Sequence, residues 1–331
     1  MKKLLAIALS LILVLGLFAG CGGNEPTPTT TEPSVEDTQG EAVTDTTVAD
    51  TTEGTSDYAS MSIDELKPLI ETITDGKLTM VTSPDFAPYE FYAIDEAGNA
   101  SLAGFDIALG QYIADFIGLE LEIIPMDFDG TITELGMGKA DIGMAGYSPD
   151  PDREGAMDFS NIYYEGGQSF VTSKANVEKF ASLADANKAE YQIGAQTASI
   201  QYDLAVANTP DADIVELAKV TDIVAEVISD KLDGAFVETV VAETYAKTYT
   251  DLVVLFEVPY DQEGSVVGVK EGNAPLLAAV NLAIEAAIAD GSMSTFVAEA
   301  NELATGEKYE GLLTEPETTA PESTEAETAA A

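Results

Sequence analysis

The sequence predicts an α/β fold built on parallel sheet. Apolar residues alternate at period two and then recur at helical spacing, segment after segment, from Leu78 onward. The second half of this stretch repeats the order of the first. Hydrophobic residues make up 46% of the 331 residues, enough for a two-lobed unit with sizeable cores. Ligands of such sheets sit beyond the carboxyl ends of the strands, which directs attention to the loops after Thr82, Pro125 and Ala145.

Taken in order, the folded part is expected to open with a helix over residues 62–73. Ser62 is its N-cap, Glu65 follows three residues later, and Gly76 ends the segment. Strands are expected at 78–82 and 89–93, with a Gly- and Asn-rich turn at 95–99. From Phe105 the period changes. Ile107, Ala108, Tyr112, Ile113, Phe116 and Ile117 share one helical face, with Asp106 as cap and Gly118 as terminator. A strand at 119–123, a helix at 131–137 and a buried strand at 140–145 follow. The second half reads as strand 191–195, helix 199–207, strand 213–217, helix 221–230 capped by Thr221, strand 232–237, helix 239–247 and strand 252–256. Helices at 274–290 and 293–305 close the fold.

Composition excludes several functions. There are 59 acidic residues against 14 basic ones, a formal charge of -45, so a nucleic-acid partner is excluded for want of a basic patch. With no histidine, neither a histidine base nor a histidine-ligated metal is available. The single cysteine, Cys21, rules out intrachain disulfides and Cys-rich metal sites. No loop has the spacing of an EF-hand. No metal and no cofactor is expected.

Met1-Lys2-Lys3 precedes an apolar run over 4–19, a secretory signal pattern near the lower length limit of a membrane span. Leu17-Phe18-Ala19-Gly20-Cys21-Gly22 resembles the lipobox of bacterial lipoproteins, with Phe18 where Leu is usual. That resemblance implies diacylglyceryl transfer to Cys21 and anchoring in the lipid bilayer at the outer face of the cell membrane. The other reading of Cys21 is a free thiol within a span. Residues 22–57 are Thr-, Glu-, Asp- and Pro-rich with no basic residue, a composition that predicts disorder. As a coil they would span roughly 30–35 Å, suiting a tether. The expected organisation is signal peptide 1–20, lipidated linker 21–57, lobe 1 at 58–170 plus 266–311, lobe 2 at 171–265, and an acidic tail at 312–331.

Several segments then stand in a telling order: Phe86-Ala87-Pro88-Tyr89-Glu90-Phe91, Leu102-Ala103-Gly104-Phe105-Asp106-Ile107-Ala108-Leu109, Asp127-Phe128-Asp129-Gly130-Thr131-Ile132, Gly138-Lys139-Ala140-Asp141-Ile142, Asp152-Arg153-Glu154 and Asp158-Phe159-Ser160-Asn161-Ile162-Tyr163-Tyr164. In this order and spacing the chain resembles the polar amino-acid-binding proteins of ABC transporters over roughly residues 78–310. The resemblance implies two α/β lobes of the type II periplasmic-binding-protein-like fold, joined by two hinge strands near 170–172 and 266–269. It also implies a monomer that clamps a small amino acid and passes it to membrane permease subunits.

Arg153, the only arginine of the chain, matches the family residue that grips the ligand α-carboxylate. Its planar fork allows bidentate contact that a lysine lacks. The alternative is a surface arginine neutralised by Asp152 and Glu154. Ala145, Gly146, Tyr147 and Ser148 match a stretch that offers backbone groups and a hydroxyl, with Tyr147 where an aliphatic residue or Met is usual. Phe86 and Phe128 match aromatics that line the pocket, against the plainer reading of core residues. Glu238 stands where Asp usually binds the α-ammonium; its alternative is a helix-capping carboxylate before Thr239. Thr197 and Ser199 lie near a helix N-terminus that favours anions. Ala198 and Ile200 depart there from the family's Gly and hydroxyl. Ser83 replaces an acid that lysine- and arginine-binding members carry, with Asp85 and Glu90 nearby as substitutes. Two other functions fit less of the sequence: a dehydratase-like enzyme on this fold, with Glu238 or Glu165 as acid, and a tethered sensor or adhesion module.

Overall fold

The computed structural model describes residues 58–305 apart from Glu96, Glu154, Gln262 and Glu263. The apolar leader, Cys21, the acidic linker and the acidic tail lie outside the described residues.

Ser62 opens helix α1 (Ile63–Leu66). Its N–H and hydroxyl both donate to Glu65 Oε2, at 2.8 and 2.6 Å, forming the expected capping box. The helix stops well before residue 73 because Pro68 has no N–H to continue the ladder, and the chain tightens into a 3-10 turn at Lys67–Leu69. Strands β1 (Lys77–Thr82), β2 (Asp85–Phe86), β3 (Glu90–Ile94) and β4 (Ala100–Ala103) follow. Helix α2 (Phe105–Ile117) buries Leu109, Ile113, Ala114 and Ile117 and ends at Gly118 with φ of 90°. Its cap is not Asp106. Gly104 holds that position, and the Pro88 and Tyr89 carbonyls accept the N–H groups of Phe105 and Asp106. With those donors satisfied by backbone, the Asp106 carboxylate is free for another task. Gly104 is required there, since a Cβ would collide with the Tyr89 carbonyl.

The chain continues through β5 (Glu120–Pro125), α3 (Phe128–Gly136), β6 (Ile142–Tyr147), β7 (Met157–Tyr164), β8 (Gln168–Ser173) and β9 (Gln192–Gln196). Next come α4 (Ile200–Asn208), β10 (Asp213–Leu217), α5 (Val220–Ile228), β11 (Gly234–Glu238), α6 (Thr239–Thr248) and β12 (Leu252–Val258). Strand β13 (Ser265–Lys270) and helices α7 (Ala274–Ala289) and α8 (Ser292–Thr305) complete the described part. The expected cap of α5, Thr221, lies inside the helix, and Lys219 occupies the N-cap position.

Two five-stranded sheets form two lobes, in the orders β5-β1-β6-β13-β7 and β10-β9-β11-β8-β12. A small antiparallel sheet, β2-β3-β4, belongs to the first lobe's side of the chain. The expected parallel pairing holds for β5-β1-β6 and for β10-β9-β11. The other two strands of each sheet run antiparallel. Residues 165–167 carry the chain from β7 in the first sheet to β8 in the second, and 259–264 return it from β12 to β13. Residues 170–172 and 266–269, expected at the crossings, lie inside β8 and β13; Phe170 and Val171 pair with both β11 and β12.

Tyr147 shows how the first core is assembled. Gly143 of β6 pairs in register with Gly268 of β13, and the Tyr147 ring lies over both. A Cβ on Gly143 would stand 2.8 Å from the ring, and one on Gly268 3.1 Å from it. The fully buried Tyr147 hydroxyl donates to Thr131 Oγ1 at 2.5 Å, tying α3 to β6. Two facing glycines therefore make room for one large side chain in a close-packed interior. Gly143→Ala is expected to destabilise the fold by about 1–3 kcal/mol through overpacking, measured by urea unfolding.

Candidate functional site

The segments that follow β1 and β6 in the first lobe meet those that follow β9 and β10 in the second. On the first lobe lie Ser83, Asp85, Phe86, Phe128, residues 145–148 and Arg153. On the second lie Thr197, Ala198, Ser199 and Glu238. The lobes touch directly. Arg153 Nη2 donates to the Ala198 carbonyl at 3.1 Å, the Val220 N–H donates to Asp85 Oδ2 at 2.6 Å, and the Tyr245 hydroxyl donates to the Asp85 carbonyl at 2.8 Å. The cleft is closed.

Arg153 ends a 3-10 turn, Pro151–Arg153, and is only 8% exposed, which removes the reading of a surface arginine. Its guanidinium lies 5.6 Å from the centre of the Phe128 ring. Among the described residues its nearest carboxylate oxygen is Asp150 Oδ2, 3.7 Å from Nε, and no carboxylate engages it bidentately. Burial lowers its pKa, opposed by Asp150, Tyr147 and Asp203. A planar cation held in a closed cleft, with most of its donor fork uncommitted among the described residues, is suited to a carboxylate.

Phe128 is buried at the first turn of α3 and meets Tyr147 edge-on at 5.7 Å. Tyr147 therefore points into the first lobe's core and positions Phe128, rather than facing the cleft itself. Gly146 has φ of +59°, and a Cβ there would lie 2.7 Å from the Phe86 ring. Only glycine lets that ring rest on the strand end. The Gly146 N–H donates to Asp106 Oδ2 at 3.1 Å, and Tyr163 donates to Asp106 Oδ1 at 2.7 Å. Ala145 and Ser148 are buried beside it, and the Ser148 carbonyl accepts the Asp150 N–H.

Ser199 is the N-cap of α4. Its hydroxyl accepts from the Tyr202 N–H at 3.3 Å and donates to the Gln196 carbonyl at 2.7 Å. Thr197 is half-buried. Ala198 has φ of +60°, a left-handed conformation that costs a non-glycine residue roughly 1 kcal/mol. Glu238 caps α6: Oε2 accepts the Val241 N–H at 2.9 Å, and Oε1 accepts the Gly167 N–H at 3.3 Å and the Tyr89 hydroxyl at 3.4 Å. It also lines a cavity of about 740 Å³ with Tyr164, Gln168 and Tyr260, beside both interlobe links. Ser83 donates to Asp85 Oδ1 at 2.8 Å. Asp85 in turn is directed at the second lobe. Glu90 is fully buried beside Asp106 and Asp85.

Tyr89, Asp106 and Tyr245 join the site without belonging to the candidate residues that the sequence marks. Asp106 carried a signal, being an acid in an apolar helix face, but local helix chemistry gave it a different role. Tyr89 and Tyr245 look in sequence like any core aromatic.

Four acids here hold their protons more tightly than usual, burial being the first cause in each. Asp85 and Asp106 are pushed up to about 6, Glu238 to about 7, and Glu90 well above the carboxylate range. A carboxyl group whose pKa is higher in the folded state stabilises the fold below its unfolded pKa, and this contribution is lost as pH rises through the folded value. The melting temperature of the ligand-free protein is expected to fall between about pH 5 and pH 8. Glu90→Gln, which fixes the neutral form, is expected to shrink that fall. A melting temperature flat across this range contradicts the assignment.

A model of the family described as bacterial extracellular solute-binding proteins, family 3, matches residues 78–299. The arginine-binding extracellular protein ArtP of Bacillus subtilis is 30% identical over 200 residues, covering 59% of this chain and 74% of that protein. The crystal structure of an amino acid ABC transporter substrate-binding protein from Streptococcus pneumoniae, bound to L-arginine, superposes with a TM-score of 0.65 at 30% identity, covering 72% of this chain and 97% of the other. A cyclohexadienyl dehydratase of Pseudomonas aeruginosa is a more distant relative, 22% identical over 205 residues, covering 61% of this chain and 75% of the enzyme.

Proposed function

Since the chain belongs to the bacterial extracellular solute-binding proteins, family 3, we propose that it captures a polar amino acid or similar small zwitterion between its lobes and delivers it to an ABC importer. Its role is to bind a solute, not to convert one. The observation that carries the reading of the ligand is Arg153, a buried guanidinium in the closed cleft that lacks a bidentate carboxylate partner among the described residues.

In this reading Arg153 takes the α-carboxylate, helped by Ser148, Thr197, Ser199 and backbone groups of 145–147. Phe86 and Phe128 bound the side chain. Glu238 takes the α-ammonium through Oε1, whose present contacts are long, while Oε2 continues to cap α6. Fixed opposite charges select for a zwitterion, because a ligand lacking either charge leaves its partner buried and unpaired. Arginine is bound by the pneumococcal relative, which makes it one candidate here. Opening of the cleft occurs at 165–167 and 259–264, where the chain passes between the sheets. Gly166 and Gly167 lie in the first link. Acylation of Cys21 would hold the protein at the outer face of the membrane, as the lipobox-like 17–22 supports.

A thermal-shift screen over amino acids is expected to give a hit among polar ones. Arg153→Ala is expected to weaken that ligand roughly 100-fold or more, since it removes one partner of a buried charge pair. If Glu238 meets the ammonium, binding lowers its pKa and releases a proton. Calorimetry at roughly pH 6.5 is then expected to give heats that depend on the buffer's ionisation enthalpy, an effect lost in Glu238→Gln.

A further inference from the structure

Asp85 is an acid of the first lobe whose carboxylate hydrogen bonds reach chiefly the second. It is 8% exposed and sits in β2, where Ser83 orients it by donating to Oδ1 at 2.8 Å. Its Oδ2 accepts the Val220 N–H, in the first turn of α5, at 2.6 Å, and the Gln196 amide at 3.5 Å. Its carbonyl accepts the Tyr245 hydroxyl from α6 at 2.8 Å. Lys219, the N-cap residue of α5, adds positive charge on the same side and stands 4.0 Å from Asp127 of the first lobe. An acid at the start of a helix satisfies an otherwise orphan N–H and meets the positive end of the helix dipole. Here the capping acid comes from the opposite lobe, so the cap exists only while the cleft is shut.

We propose that Asp85 is a latch: by capping α5 from across the cleft, it sets how long the closed form lasts, whatever the side chain of the bound amino acid. The proposal rests on the reading that the lobes open and close about the two links. It differs from the role suggested by the neighbouring Ser83, in which an acid would meet a cation on the ligand. In the closed form the Asp85 carboxylate already has donors from Val220, Ser83 and Gln196.

The test uses the full chain with L-arginine and L-glutamine as probes, by surface plasmon resonance. Asp85→Ala is expected to speed dissociation of every probe that binds by about tenfold or more, by a similar factor for each, with association changed less than twofold, because the bonds removed include charge-assisted ones. Tyr245→Phe, which keeps the ring and removes one interlobe hydrogen bond, is expected to act in the same direction and less strongly. Loss confined to arginine, or unchanged dissociation, overturns the latch. A second readout needs no ligand. Hydrogen exchange at the Val220 amide of the ligand-free chain is expected to quicken at least threefold in Asp85→Ala, while amides in the middle of β9 and β11 keep their rates. An unchanged Val220 rate also overturns it. If neither amino acid binds the unmodified chain, the ligand reading fails on its own, and the Val220 rate still decides the latch.

Discussion

One guanidinium sits where the two lobes meet. Arg153 leaves the first sheet on a 3-10 turn, lies against the Phe128 ring, and donates to the Ala198 carbonyl of the second lobe. Burying that charge is costly unless an anion answers it. Asp150 offers only an oblique contact at 3.7 Å from Nε. The parts around it follow from the need to hold this cation rigidly. Tyr147 fills the space left by Gly143 and Gly268 and pins α3 through Thr131, and α3 supplies the ring beneath the guanidinium. Ala198 accepts a left-handed conformation at the point where its carbonyl meets Arg153.

The acidic side of the site obeys the same electrostatics with opposite sign. With 59 acidic residues in the chain, carboxylates crowd the lobes' junction, and the innermost lack a direct ion pair among the described residues. Three of them are held by backbone N–H groups instead: Glu238 by Val241 and Gly167, Asp85 by Val220, Asp106 by Gly146. Burial still raises their pKa values. An incoming ammonium beside Glu238 would supply the positive charge that this environment lacks.

Most of the fold was legible because hydrophobic period survives in a single sequence. The strand at 213–217 falls where β10 lies, and the helices predicted at 105, 199 and 274 begin within one residue of those positions. Caps were less legible, since their chemistry is local only when the partner is. Ser62 and Glu65 cap within one turn, as their spacing predicts. The start of α2 is satisfied by the carbonyls of residues 88–89, and the first N–H of α5 by Asp85, some 135 residues away in sequence. No local pattern encodes either. The same limit applies to the site. A motif marks Arg153 and Glu238, but the direction of Tyr147 depends on two glycines, one of them on a different strand.

The central claim is that Arg153 answers a carboxylate on the ligand. Its most direct test compares, by calorimetry, whichever amino acid binds with the methyl ester of that same amino acid, for the unmodified chain and for Arg153→Ala. The account predicts that the unmodified chain discriminates against the ester by roughly 100-fold and that the variant treats the two nearly alike. An ester that binds the unmodified chain as tightly as the free acid would contradict it.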